Sequence, residues 1–421
     1  MNTNRNRLVI GTTSRGVLFT LDTDARRRHL YIVGQTGSGK STLLLNCMAQ
    51  DLSAGNGLAL LDPHGELAEQ VLSAIPAHRA HHLVYFNPGD LARPLGFNVL
   101  ARVPPDHRAT VADGVVAAFK HVWPEFWGPR LEYILLNAVR LLLDAPGSTL
   151  LGLPRLLVDG RYRQRLLAHC RDPVVVRFWR SEFDGYDARV RNEAIAPIQN
   201  KVGRLLSSPH LRNVLAQPTS SFDLRRTMDE GRILLVNLAK GLLGEGTAHL
   251  LGALLVTAIA QAALSRADMP EHQRRVFHLY ADEFQSYASD SFGVILSEAR
   301  KYGLSLVLAH QFTAQIPLPL RQAVLGNAGS IIAFRVGADD APLLADHLGI
   351  PNDAMLKDLR NFSGLGKFLI DGHPSDPIHL DFPPPPRAIH NHPERLVANS
   401  RIRFGRERLQ IETRIQRFLA S

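Results

Sequence analysis

A chain of 421 residues with 45% hydrophobic and 21% charged side chains has the make-up of an ordinary globular protein, with length for one large domain carrying an insertion or for two domains. Its two cysteines, Cys47 and Cys170, exclude a disulfide framework and a structural zinc site and read as packing residues. The net charge of +9 is uneven, with 16 Lys and Arg against 11 Asp and Glu in residues 105–220, and 8 Arg against 3 Glu in residues 387–421. Basic excess of this size permits a polyanionic partner, and solvated helix faces produce it as well.

Residues 1–28 predict a small β hairpin, Arg7–Gly11 and Val17–Leu21 around a Ser-Arg-Gly turn, with no signal peptide ahead of it. Residues 29–104 open the core. The short apolar run His29–Val33 leads into Gly34-Gln35-Thr36-Gly37-Ser38-Gly39-Lys40-Ser41, and Ser41 to Met48 reads as a helix. Strand, glycine loop and helix form the phosphate-binding loop G-x-x-x-x-G-K-[ST] in its proper context. Its glycines let backbone N–H groups face phosphates, and the helix N-terminus adds partial positive charge. Residues Gly34 to Thr42 are therefore the nucleotide-binding candidates. Lys40 would neutralise the β- and γ-phosphates of ATP, and the Ser41 hydroxyl would ligate Mg²⁺.

Strands are expected at Gly57–Asp62 and Leu83–Asn87. From 105 to 220 strand signals fade and helical periodicity takes over, which predicts an all-α insertion. Residues 221–382 resume the core, with strands at Ile233–Leu238, Val276–Tyr280, Leu304–Leu308, Ile331–Phe334 and Lys367–Ile370. This alternation predicts an α/β fold with a mostly parallel sheet. The apolar run Leu250–Ala260 reads as a buried helix, too short to span a bilayer. Residues 383–421 start with the stiff Pro383–Pro386 spacer and continue as a basic helical tail. Its Arg401, Arg403, Arg406 and Arg408 are candidates to clasp a neighbouring subunit or DNA, or to form a solvated face.

Three further segments bear on chemistry. An apolar strand ending in Asp282-Glu283 supplies the second half of a hydrolytic site, Asp282 for Mg²⁺ and Glu283 as general base toward water. The next strand ends at His310-Gln311, where Gln311 would sense the γ-phosphate from between the P-loop strand and the acidic strand; His310 reads as structural. Ahead of it, Ser297-Glu298-Ala299-Arg300-Lys301-Tyr302-Gly303 reads as a glycine-capped helix end. Basic residues there suit the helix dipole; alternatively Arg300, with Lys301 competing, is an arginine finger reaching a neighbouring subunit's γ-phosphate.

Together, GQTGSGKS, Leu60–Leu67 (LLDPHGEL), Tyr280–Gln285 (YADEFQ), SEARKYG and LVLAHQ resemble the HerA/FtsK superfamily of ring-forming DNA-pumping ATPases. Within it the chain looks most like the TraG/TraD-like type IV coupling proteins, over about Arg7 to Asp381. The resemblance implies a RecA-like ATPase core and an all-α insertion that helps recognise cargo. It assigns Lys40, Glu283, Gln311 and Arg300 to catalysis, and Ser41 and Asp282 to the metal. Asp62 and His64 are expected near the nucleotide, with a turn-stabilising role for His64. Unlike membrane-bound coupling proteins, the chain is expected to lack a membrane span and to be cytoplasmic, docked on a membrane complex or serving DNA processing or phage defence.

Implied partners are DNA without sequence preference, further copies in a homohexamer, and a relaxase, a nuclease or a secretion channel. The leading functional reading is a DNA translocase, with Ser286 to Gly293 as candidate pore residues. Alternatives are a protein-translocating secretion ATPase and a nucleotide-gated scaffold.

Overall fold

The computed structural model describes residues 7–289, 291–390 and 392–420. Its centre is an eleven-stranded sheet: β1 Leu8–Thr13, β2 Leu18–Leu21, β3 Leu30–Val33, β4 Gly57–Asp62, β5 Leu83–Phe86, β6 Ile233–Asn237, β7 Phe277–Ala281, β8 Leu304–His310, β9 Ser330–Ala333, β10 Ser363–Lys367 and β11 Ile378–Asp381. The spatial order is β2-β1-β11-β10-β9-β3-β8-β7-β4-β6-β5. From β9 to β5 all neighbours are parallel, and the four strands at the other edge are antiparallel. The fold is the expected α/β, RecA-like core. Parallel strands covered by helices on both faces read as near-continuous apolar runs, and every residue of β3, β4, β6, β7 and β8 is buried.

The expected N-terminal hairpin forms, and the antiparallel edge departs from expectation in how it is assembled. The N-terminal hairpin is part of the sheet, Thr12 pairing with Asp381 of β11. The strand beside β9 is Ser363–Lys367 rather than Lys367–Ile370; Leu369–Ile370 instead forms a two-residue ribbon with His373–Pro374. Glycine makes this edge possible. A Cβ on Gly364 would lie 2.9 Å from the Phe382 ring, and one on Gly366 would lie 2.4 Å from the Phe368 ring. Those rings take the space that side chains of β10 would fill.

Between β5 and β6 the described residues form helices and no strands. Helix Arg108–Val122 packs along helix Glu245–Leu264, with Gly114 against Thr257, where a Cβ would meet Thr257 Cγ2 at 2.4 Å. One apolar cluster runs from the sheet through these helices, so the insertion shares the core of the sheet. Helix Glu245–Leu264 also corrects the length argument. With its continuation to Asp268 it is long and apolar enough to cross a membrane. Leu250, Leu251, Leu254, Leu255, Val256 and Ile259 are nevertheless fully buried in this fold, which makes it a core helix here.

The basic tail is tied down. Asn46 Nδ2 donates to the Pro383 and Pro384 carbonyls at 3.1 and 3.0 Å. Helix Pro393–Phe404 lies on edge strand β5, where Ser400 Oγ accepts from Tyr85 N at 2.8 Å. Helix Arg408–Ala420 buries Ile411 and Ile415 and contacts the insertion, Arg155 Nη1 donating to Phe418 O at 2.7 Å. The four arginines offered for partners are engaged within the chain: Arg401 with Asp90, Arg403 with His81 O, Arg406 with Thr219 Oγ1 and Arg408 with Glu412.

Candidate functional site

Parallel strands present their carboxyl ends on one side, and the loops leaving them build the site. β3 delivers Gly34–Gly39. Gly34 N donates to His310 O at 3.3 Å and Gln35 N to Arg335 O at 2.8 Å, so the loop is pinned between the ends of β8 and β9. Gly37 and Gly39 have φ of 76° and 117°, conformations that favour glycine. Gly34 is needed for closeness, because a Cβ there would lie 2.5 Å from Phe334 Cβ. Lys40 then opens helix Lys40–Ala54, which ends at Gly55. Lys40 is 6% exposed, and its ammonium donates to the carbonyls of Gly34 and Gln35 at 2.5 and 3.1 Å, folded back over the loop. Burial lowers its pKa, while Glu283 and Asp282 oppose that shift.

β7 delivers the carboxylates. Asp282 N donates to Leu61 O, and the Asp282 carboxylate accepts from Glu283 N at 3.1 Å. Burial, then repulsion from Glu283 and Asp62, pushes the Asp282 carboxyl up to about 7, with Lys40 pulling the other way. Such a concentration of buried negative charge suits a divalent cation, and Ser41, exposed beside Lys40, offers a hydroxyl. Among the described residues no three His, Cys, Asp or Glu side chains are grouped to hold a metal ion, so Mg²⁺ would depend on Asp282, the Ser41 hydroxyl and the phosphates of a bound nucleotide. Asp62, at the tip of neighbouring β4, is otherwise occupied: it accepts from His64 N and Ala68 N, both at 2.9 Å, shaping the turn into helix Glu66–Leu72. His64 contributes its backbone to that turn and leaves its side chain exposed.

β8 lies between β3 and β7 and carries Gln311 at its tip. Gln311 Nε2 donates to Glu283 Oε1 at 2.9 Å, and Gln285 Nε2 donates to Glu283 Oε2 at 2.8 Å. The general-base candidate is thus held between two amides, from a backbone with φ of 45°. Left-handed φ in a non-glycine residue is costly and concentrates where geometry serves function. Gln285 is the member missed from sequence. Its signal was present in YADEFQ, two residues beyond Glu283, but a linear reading does not show that the chain turns back there through the single turn Phe284–Ser286. His310 is fully buried and bonded to Tyr31 Oη, and burial, then Lys40, lowers its pKa to about 3. It is a neutral packing residue.

Two expected groups lie apart from this cluster. Arg300 precedes β8 at its amino end, whereas Gln311 follows its carboxyl end, so Arg300 is about 20 Å from the site at roughly 3.3 Å per residue. Arg300 and Lys301 are both exposed. The segment Ser286 to Gly293 is corrected as a pore loop: Ser286, Tyr287, Ala288, Ser289 and Phe292 are buried, and Tyr287 Oη donates to Asp282 O at 2.8 Å. Asp290 lies outside the described residues.

Residues 8–99 match the family model for the central domain of the helicase HerA. No curated protein matches the sequence. Solved structures match over nearly the whole chain. The plasmid coupling protein TrwB in complex with ADP and Mg²⁺ has 19% identity and a TM-score of 0.67, covering 91% of each chain. TrwB with a non-hydrolysable ATP analogue gives 19% identity and a TM-score of 0.64, covering 89% of each. VirB4 of Thermoanaerobacter pseudethanolicus gives 13% and 0.63, covering 90% of this chain and 97% of that one. Fold and site define a P-loop ATPase. Residues 8–99 are similar to the HerA central domain, and the chain as a whole has the fold of the conjugative coupling protein.

Proposed function

We propose that the chain is an ATP-driven DNA translocase that works as a ring, in the manner of type IV coupling ATPases. The observation that carries hydrolysis is the Gln311–Glu283–Gln285 clamp beside Lys40 and Asp282. A switch that only binds nucleotide has no use for a carboxylate oriented by two amides. Glu283 would polarise the attacking water while Gln311 positions it against the γ-phosphate, and Lys40 would leave its loop carbonyls for the phosphates. Mg²⁺, held by Ser41 and Asp282, would neutralise charge on the phosphate oxygens.

Ring formation is supported by the remoteness of Arg300 from its own site. The side chain lines a cavity of about 430 Å³ with Arg28 and Lys367, a basic recess suited to a phosphate presented by a neighbouring copy. A homohexamer is the arrangement the family resemblance implies. DNA as substrate is supported by likeness to the bacterial conjugative coupling protein and by the basic excess of residues 105–220. A cytoplasmic position at a membrane complex, with a relaxase, nuclease or channel partner, follows from the same likeness.

The test is steady-state ATP hydrolysis with and without single- and double-stranded DNA over a salt series. Stimulation that fades with salt supports the motor, because phosphate contacts release counterions. Strong hydrolysis indifferent to DNA refutes it and favours protein as the cargo.

A further inference from the structure

Two aromatic rings touch the P-loop. Phe334 is fully buried and packs on Phe382 with ring centroids 4.6 Å apart, and it supplies the apolar floor beneath Gly34. Phe362 is different. It lies just before β10, and a Cβ on Gly39 would come within 2.9 Å of its Cδ1, so its ring rests on the glycine that precedes Lys40. Yet Phe362 is 44% exposed. Its backbone has φ of 59°, an outlier for a bulky side chain. Two hydrogen bonds hold it there: Phe362 N donates to Ser38 O at 2.8 Å, and Phe362 O accepts from Phe382 N at 2.8 Å. The chain thus fixes an open aromatic face at the rim of the phosphate loop.

The direction of the nucleotide follows from the strand order. The hydrolytic groups Glu283 and Gln311 belong to β7 and β8, on one side of β3, while β9 and β10 lie on the other. A triphosphate with its γ-phosphate at Lys40 and Glu283 crosses the loop, and its nucleoside emerges toward β10. We infer that Phe362 is the platform on which the nucleobase stacks. The inference rests on the nucleotide site proposed above. A ring offers a π-face and no base-specific donor or acceptor, so Phe362 would favour purines over pyrimidines and treat adenine and guanine alike.

The experiment measures binding of ATP and of inorganic tripolyphosphate, each with Mg²⁺, to wild type, F362A, F362L and F362W. Tripolyphosphate keeps the loop contacts and lacks a base. F362L preserves apolar packing on Gly39 and removes the aromatic face, so it tests stacking where F362A disturbs the loop. We expect F362L to weaken ATP roughly tenfold or more and to leave tripolyphosphate unchanged, F362A to weaken both ligands, and F362W to bind ATP as wild type does. Unchanged ATP affinity in F362L, or equal losses for both ligands in that variant, overturns the proposal. A Lys40→Ala control separates the two readings: if it retains tripolyphosphate affinity, the phosphate site itself has been misassigned.

Discussion

Behind the P-loop helix lies a polar cluster whose disruption has a calculable cost. Arg26 makes a bidentate pair with Asp51, both bonds 2.7 Å, and the two residues are 7% and 1% exposed. Asp51 also accepts from Tyr280 Oη at 2.5 Å and from Asn56 Nδ2 at 2.9 Å. Burial opposes the charge on Asp51, but His278, Arg26 and the hydrogen bonds from Arg26 and Tyr280 outweigh it and hold the carboxyl well below the usual carboxylate range. Asp51→Ala would leave a buried guanidinium unpaired and a buried phenol without its acceptor, so we expect a loss of about 3–5 kcal/mol. Removing the charges together, as Arg26→Met with Asp51→Leu, should recover most of it, leaving about 1–3 kcal/mol for the orphaned Tyr280 hydroxyl. Adding Tyr280→Phe should recover that remainder. Urea denaturation followed by circular dichroism gives the free energies from midpoints at constant slope. A single Asp51→Ala variant within about 1 kcal/mol of wild type, or a double variant no better than the single, would show that the buried pair does not set this cost.

Four other outcomes follow from the geometry. Glu283→Gln should retain ATP binding and lose about 10²–10⁴-fold in turnover, and Gln285→Ala should lose at least about tenfold through the freed carboxylate; equal turnover in Gln285→Ala and wild type removes the clamp from the account. Arg300→Ala should fall about 10³-fold or more, and mixing it with Lys40→Ala subunits should restore part of the rate, since each supplies what the other lacks; no restoration contradicts action between subunits. Stability should decline in acid. His29, His278 and His310 are held neutral by burial, with pKa values lowered to about 4, 4 and 3, so their contribution is complete above about 6.5 and lost as pH falls through these values. Asp282, raised to about 7, takes up a proton on folding and offsets one of the three, leaving a slope of roughly 3 kcal/mol per pH unit near pH 5; a flat profile from pH 7 to 4.5, measured by denaturation, would count against the burial of these rings.

The parts of the site legible in sequence are those written in contiguous residues. The P-loop requires glycine where φ is positive or a neighbour is close, and Gly34, Gly37 and Gly39 meet those demands. The parallel strands are mostly apolar runs, interrupted by His278 in β7 and Ser305 in β8, so β3, β4, β6, β7 and β8 stand out from their neighbours. The antiparallel edge did not, because Ser363-Gly364-Leu365-Gly366-Lys367 has no apolar alternation; its packing comes from Phe368 and Phe382 outside the strand. The Arg26–Asp51–Tyr280 cluster joins residues separated by 25 and 229 positions, and no local pattern marks such a pairing. The expectation for Ser286 to Gly293 failed for a related reason. Its small polar residues read as a surface loop, yet Tyr287 and Phe292 draw the segment into the core.

The most direct test of the central claim is movement along DNA: displacement of a third strand from a triplex by purified protein, with ATP, a non-hydrolysable analogue, or ATP and Glu283→Gln. Displacement is expected only from wild type with ATP. Vigorous ATP hydrolysis on the same DNA without displacement would contradict DNA translocation.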